Sequence, residues 1–167
     1  MTFVILIITF LLTSSAYAEE SSNATFTKLP SDPGAAGKLT LAGIDSDNDG
    51  VRDDVQRWVL MTYPNSQKTR AALTQRTKVM QQFLLDAANP VKSLSNAVQM
   101  GRDRSCLAYV QRKDFYNIGM EQKAIFLNTY TRSKAWLQAG RHLSGNMFTS
   151  LADEKLGCDF NPDVMPN

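Results

Sequence analysis

From residue 52 onward the apolar positions recur every three or four residues, the spacing that lines one face of a helix. Val55, Trp58, Val59 and Thr62 share such a face, which predicts a first helix over residues 52–63. Pro64 stops it, because proline disfavours helical backbone in the residue before it. Ser66 is an N-cap for a second helix reaching Ala88, with Leu73, Val79, Met80, Phe83, Leu84 and Ala87 as its apolar stripe. Asn89-Pro90 pairs an N-cap with proline at the first helical position. The third helix then carries Val91, Leu94, Val98, Cys106 and Val110, with Gly101 as a point of kinking. A turn over residues 114–117 leads to a fourth helix with Met120, Ala124, Leu127, Tyr130, Ala135 and Leu137, ended by Gly145. No stretch reads as a β-hairpin and none repeats. The pattern predicts an all-α domain: a small bundle of about four helices with short antiparallel connections. Its tail, from Asn146 on, is expected to fold back and be tied to the third helix.

The N-terminal texture is different. Residues 3–12 are an apolar run broken only by Thr9, and Ala16-Tyr17-Ala18 is a small-x-small cleavage pattern. Residues 1–18 are therefore expected to be a secretory signal peptide, although Met1-Thr2 contributes no Lys or Arg. The competing reading, a membrane anchor, is disfavoured because the run falls short of the roughly 20 residues a span needs. Residues 19–38 are rich in Ser, Asn, Thr, Pro, Gly and Ala and predict a disordered linker. Asn23-Ala24-Thr25 fits a glycosylation sequon, relevant only in a eukaryotic secretory pathway. The helical domain then occupies residues 39–167, with Leu41 and Ile44 pinning its first loop to the core. An exported chain meets an oxidising compartment, where an isolated cysteine pair reads as a disulfide, here Cys106–Cys158. The expected location is periplasmic or secreted.

The densest chemistry lies in residues 45–56, Asp-Ser-Asp-Asn-Asp-Gly-Val-Arg-Asp-Asp-Val-Gln. Asp45, Asp47 and Asp49 alternate, and Gly50 permits the sharp turn that wraps them around one point. Ca²⁺ is a hard cation that takes six to eight oxygens, and such spacing supplies them. The stretch resembles the EF-hand-like calcium loops of secreted bacterial proteins and of thrombospondin type 3 repeats, over about a dozen residues. The resemblance implies that Asp45, Asp47, Asp49, the Val51 carbonyl, Asp53 and Gln56 hold one Ca²⁺. Two positions depart from the standard loop. Gln56 stands where a bidentate Glu is usual, and Arg52 where paired EF-hands carry an apolar residue. No second loop of this kind occurs, so the site is expected to stand alone. The plainer reading is a solvated acidic loop whose Asp53 and Asp54 favour the positive end of a helix dipole. Against it, five carboxylates in ten residues repel one another, and Arg52 is their only local counter-charge.

The formal charge of +2 conceals a segregation. Between Arg57 and His142 fourteen bases face four acids, a formal +10, while the remaining acids gather in the Asp-rich loop and the tail. Lys68, Arg70, Lys78, Arg132 and Lys134, if they share helical faces, would draw an anionic lipid or envelope polymer. No nucleic-acid motif accompanies them. Catalytic motifs are missing as well. His142 is the only histidine, and no HExxH, CxxC, G-x-S-x-G or Gly-rich phosphate loop is present. The reading is a non-enzymatic exported protein in which Ca²⁺ is structural. It acts as a binding or interaction module of the cell envelope or exterior, toward a protein or envelope partner that the sequence does not identify. A binder of anionic surfaces through basic helices is the runner-up, and an enzyme of unrecognised type the third.

Overall fold

Side-chain caps set three of the five α-helix starts. The computed structural model describes residues 29–167 and contains five α-helices and no strand among them. They are α1 (Asp53–Thr62), α2 (Gln67–Leu85), α3 (Pro90–Gln111), α4 (Phe115–Phe126) and α5 (Tyr130–Arg141). Single 3₁₀ turns lie at Ala36–Lys38, Arg112–Asp114 and Glu154–Gly157. Ser66 Oγ accepts from the Thr69 N–H at 3.3 Å, and Asn89 Oδ1 from the Lys92 N–H at 3.1 Å, so both predicted N-caps form. The expected signal peptide and residues 19–28 of the expected linker lie outside the described residues. The rest of that linker is not structureless: Ala36–Lys38 forms a turn and Gly37 is buried. No helix among the described residues is long and apolar enough to cross a membrane.

The all-α class and the small bundle are as predicted, with one division. The fourth predicted helix is two, broken at Leu127–Thr129, where Thr129 Oγ1 caps α5 by accepting from the Arg132 N–H at 3.2 Å. The break resets the helical phase and so changes which residues face inward. Beyond the break Ala135 and Ala139 are buried and Tyr130 and Leu137 exposed; ahead of it, on α4, Phe126 is buried and the predicted Met120 and Ala124 are exposed. On α3 the predicted Val91 and Val98 are also exposed, and the buried positions are Ser93, Ala97, Asp103, Ser105, Cys106, Leu107 and Ala108. Small residues serve there because α3 packs closely on α2 and on the tail.

Two apolar clusters fill the interior. One gathers Val51, Val55, Met80, Phe83, Leu84 and Phe126, with Trp136 edge-on to Phe83 at 4.9 Å between centroids. The other gathers Val59, Ala72, Leu73, Cys106 and Leu107. Between helices, buried Gln122 donates to the Leu73 carbonyl at 2.7 Å and to Thr77 Oγ1 at 2.8 Å, locking α4 to α2. His142 Nε2 donates to the Ala87 carbonyl at 3.2 Å and joins the ends of α5 and α2.

The tail folds back as expected. Cys106 and Cys158 form a disulfide, with Cα atoms 4.7 Å apart, that ties the tail to α3. Such a bond is consistent with an oxidising compartment. Gly157 makes the approach possible. A Cβ there would lie 2.3 Å from the Arg102 carbonyl oxygen and 2.9 Å from the Cys106 nitrogen. Gln75 on α2 is the joint: its Nε2 donates to Asp103 Oδ1 (2.8 Å) and the Gly157 carbonyl (2.7 Å), and its Oε1 accepts from the Asp159 N–H (2.9 Å). Beyond it, Tyr109 donates to Asp163 at 2.7 Å, and the Pro166 carbonyl accepts from the Gln67 and Lys68 N–H groups at the start of α2. Burial raises the Asp103 carboxyl to about 7, against the pull of the Gln75 hydrogen bond; Asp159 adds to the rise, while Arg76 and Arg102 oppose it.

Two outcomes follow. Removing the cross-link by Cys106→Ala/Cys158→Ala frees a loop of 52 residues and should cost about 4 kcal/mol of stability by urea unfolding, on the chain-entropy scale. Asp103 binds a proton more tightly folded than unfolded. Its contribution to stability is therefore full below about pH 4 and declines as pH rises toward about 7. Comparing melting points of wild type and Asp103→Asn across that range should show the variant lacking this decline; parallel curves would contradict it.

Candidate metal centre

The loop ahead of α1 is shaped by two left-handed residues, Asn48 (φ 57°) and Gly50 (φ 87°). They turn the chain so that its own N–H groups point at its acids. The Asp49 N–H is shared between Asp45 Oδ1 (3.2 Å) and Asp47 Oδ1 (3.3 Å), the Gly50 N–H donates to Asp45 Oδ2 (2.9 Å), and the Val51 N–H to Asp49 Oδ1 (2.8 Å). The result brings Asp45, Asp47 and Asp49 together, with one carboxylate oxygen from each within 4.8 Å of the others. Burial raises the pKa of Asp45, and the nearby Asp47 adds to the rise, against the N–H bonds from Gly50 and Asp49. Asp49 is raised in the same way by burial and its acidic neighbours, with Val51 N–H and Lys78 opposing. The cluster thus holds more negative charge than its surroundings neutralise.

The other three expected positions are buried. Val51 is fully buried, and the first turn of α1 closes on the Arg52 carbonyl rather than on Val51's, with N–H bonds from Val55 and Gln56. Asp53 is 2 % exposed, and its Oδ1 accepts from the Ser46 N–H (2.9 Å) and hydroxyl (3.2 Å), bracing the loop rather than joining the three acids. Gln56 is 1 % exposed; its Nε2 donates to Asp47 Oδ2 at 3.3 Å, and its Oε1 is buried without a partner.

What holds the loop in place was not legible beforehand. Arg52, noted in the sequence as a departure at the eighth loop position and as the acids' local counter-charge, is buried over the Phe126 ring, 4.7 Å from its centroid. It grips Asp54 with Nε at 2.9 Å and Nη2 at 3.1 Å, and also donates to the Phe126 carbonyl at 3.0 Å. Arg132, expected on a basic surface, is 0 % exposed. It donates to the carbonyls of Gly37 (2.6 Å), Thr40 (3.1 Å) and Leu41 (3.3 Å) and to Asn128 Oδ1 (2.5 Å), and lies 3.8 Å from Asp54. Burial pushes the Asp54 carboxyl up, but Arg52, Asn128 and Arg132 outweigh it and hold its pKa below the usual value. Gly43 is required beside them: it has φ 77°, and a Cβ there would lie 2.4 Å from Arg52 Cδ and 2.8 Å from Arg132 Nη2. Leu41 packs on the core as expected, whereas Ile44 is held by its carbonyl, which accepts from the Asp53 N–H at 2.8 Å.

The five bases expected on shared faces are therefore dispersed. Arg132 is interior, Arg70 donates to the Tyr63 and Pro64 carbonyls at the end of α1, Lys78 lies against Gly50, and Lys68 acts on Asp163; Lys134 alone is exposed and uncommitted. No family model matches the chain, and neither a curated protein nor a solved structure does.

The buried arginines yield a direct outcome. Arg132→Met strands three carbonyls and leaves Arg52 as the one cation on Asp54, beside the Asn128 amide. The loss should be about 3–5 kcal/mol in urea unfolding, the range for breaking a buried pair; a loss under about 1 kcal/mol would put this cluster at the level of a surface ion pair.

Proposed function

We propose that residues 45–56 are a lone calcium site and that the chain is an exported helical module whose Ca²⁺ is structural. One observation carries the reading: three carboxylates converge, and one of them, Asp47, is bonded to a buried amide whose oxygen has no partner. A cluster of acids alone is common on protein surfaces. Gln56, Gln81 and Gln122 each have a buried Oε1 without a partner, and of the three Gln56 is the one whose amide is bonded to an acid of the cluster, Asp47.

The donor set fits a hard cation. Asp45, Asp47, Asp49 and the Gln56 amide offer only oxygen, with Val51 and Asp53 at the places the resemblance assigns to a carbonyl and a water-bridged carboxylate. The two ends of an amide are close in shape, so rotation of the Gln56 terminus exchanges Nε2, now on Asp47, for the orphaned Oε1. The bound ion would supply the positive charge that this loop lacks and fasten the segment before α1 to the bundle. The disulfide supports an oxidising compartment, and with it a periplasmic or secreted location and a role as an interaction module of the cell envelope or exterior.

Calorimetric titration decides the point. One Ca²⁺ should bind with a Kd of roughly 10⁻⁴ to 10⁻³ M, the range of extracellular modules, and Mg²⁺ should compete poorly because it holds its waters. Asp45→Ala should abolish the heat. Gln56→Glu should lower the melting point of the calcium-free protein, by adding charge beside Asp47, yet tighten Ca²⁺ binding. Absence of heat at millimolar Ca²⁺, or equal heat in Asp45→Ala, would refute the site.

A further inference from the structure

A second site lies on the bundle where α2, α3, α4 and α5 meet. It is a cavity of about 190 Å³ walled mainly by apolar and aromatic side chains, among them Phe115 and Trp136. Three cations enter it: Arg76 from α2, Arg104 from α3 and Lys123 from α4. No acid lines it, and among the described residues none of the three cations takes part in an ion pair. Arg104 lies over Phe115 (5.7 Å to the centroid) and Lys123 over Trp136 (4.9 Å), so aromatic faces meet these cations instead of carboxylates.

Arg76 is the sharpest anomaly. Its Nη2 reaches the Gly119 carbonyl at 3.4 Å, and its Nε is buried with no partner. Burial lowers its pKa, Arg104 lowers it further, and only the field of Asp103 opposes them. Lys123 is lowered by burial and then by Arg76. Asp103 is itself engaged by Gln75 on the tail side. Arg104 is exposed and Lys123 half-buried, so water screens part of their charge; Arg76, with an unused guanidinium donor and no carboxylate against it, is the cation that an arriving anion would relieve most.

We propose that this cavity binds a small organic anion, a carboxylate on a flat apolar body, with the carboxylate on Arg76 and the body against Phe115 and Trp136. The size fits a compact ligand. The volume equals roughly six waters at about 30 Å³ each and falls below the 300–1,000 Å³ or so of pockets for drug-sized molecules. Inorganic phosphate would satisfy the charge but leave the aromatic wall wet, and a neutral aromatic would leave Arg76 unpaired.

The experiment is a ¹⁵N NMR titration of the full mature chain with benzoate, benzyl alcohol and inorganic phosphate in parallel, following the Arg76 Nε–H and Trp136 indole N–H signals. Benzoate should move both saturably with a Kd of roughly 1 mM or below, within the reach of a ligand this small. Phosphate and benzyl alcohol should bind about tenfold more weakly or not at all. Arg76→Met should weaken benzoate by about tenfold or more. Should that variant fail to fold, Lys123→Gln, at a half-buried position, must weaken benzoate while keeping the wild-type melting point. Benzoate that fails to saturate by about 10 mM, phosphate that binds as well as benzoate, or benzoate binding unchanged in the folded variants would each overturn the proposal.

Discussion

Two guanidinium groups share one carboxylate inside this protein, and the placement of residues 37–44 ahead of α1 depends on it. Arg52 and Arg132 are both removed from water, and Asp54 balances only one of their charges. The remainder is met by carbonyl oxygens of Gly37, Thr40, Leu41 and Phe126, by Asn128, and by the face of Phe126. Buried charge is costly unless its hydrogen bonds are made; here the guanidinium nitrogen left without a partner is Arg52 Nη1. An extended segment can make those bonds only by running close past both side chains, and Gly43 allows that approach. The segment's position is thus dictated by the needs of two arginines more than by its own modest apolar content.

The same logic closes the other end of the molecule. The tail has little to bury, yet it crosses α3 and reaches the start of α2 because three different interactions converge on it. The disulfide fixes one point, Gln75 satisfies the backbone on either side of that point, and the Pro166 carbonyl takes two N–H groups of α2 that lack a helical partner. Gln75 also touches Asp103, so the tail's anchor and the most strongly perturbed carboxyl are one unit. Loops at both ends are therefore held by polar groups from the bundle's interior, and the apolar clusters supply the frame to which those groups are attached.

Charge is distributed in consequence. The acids before α1 converge among themselves, Arg52 is drawn inside and Lys78 packs alongside, and three cations without an ion pair, Arg76, Arg104 and Lys123, meet at the four-helix junction. A nearly neutral chain is thereby divided into a region short of positive charge and a cavity short of negative charge. Each imbalance has its own orphaned atom, Gln56 Oε1 in one and Arg76 Nε in the other.

Local signals carried much of this in the sequence. The α1 and α2 stripes, the caps at Ser66 and Asn89, the disulfide, and the convergence of Asp45, Asp47 and Asp49 around Gly50 are all legible there. Each depends on neighbours within a turn or two of chain, or on there being only two cysteines. Thr129 as a cap inside the supposed fourth helix was legible in principle, but an uninterrupted apolar pattern outweighed it. Missing it put Tyr130 and Leu137 on the wrong face. Tertiary structure alone decided where Arg132 goes, because an arginine in sequence reads as a surface charge until the carbonyls that receive it, 91 to 95 residues away, are in place. The same holds for Gln56: its type departs from the expected loop, but only packing shows that its oxygen is buried without a partner. Periodicity and capping act through the backbone nearby, whereas the burial of a charge or an amide depends on partners that only the folded chain assembles.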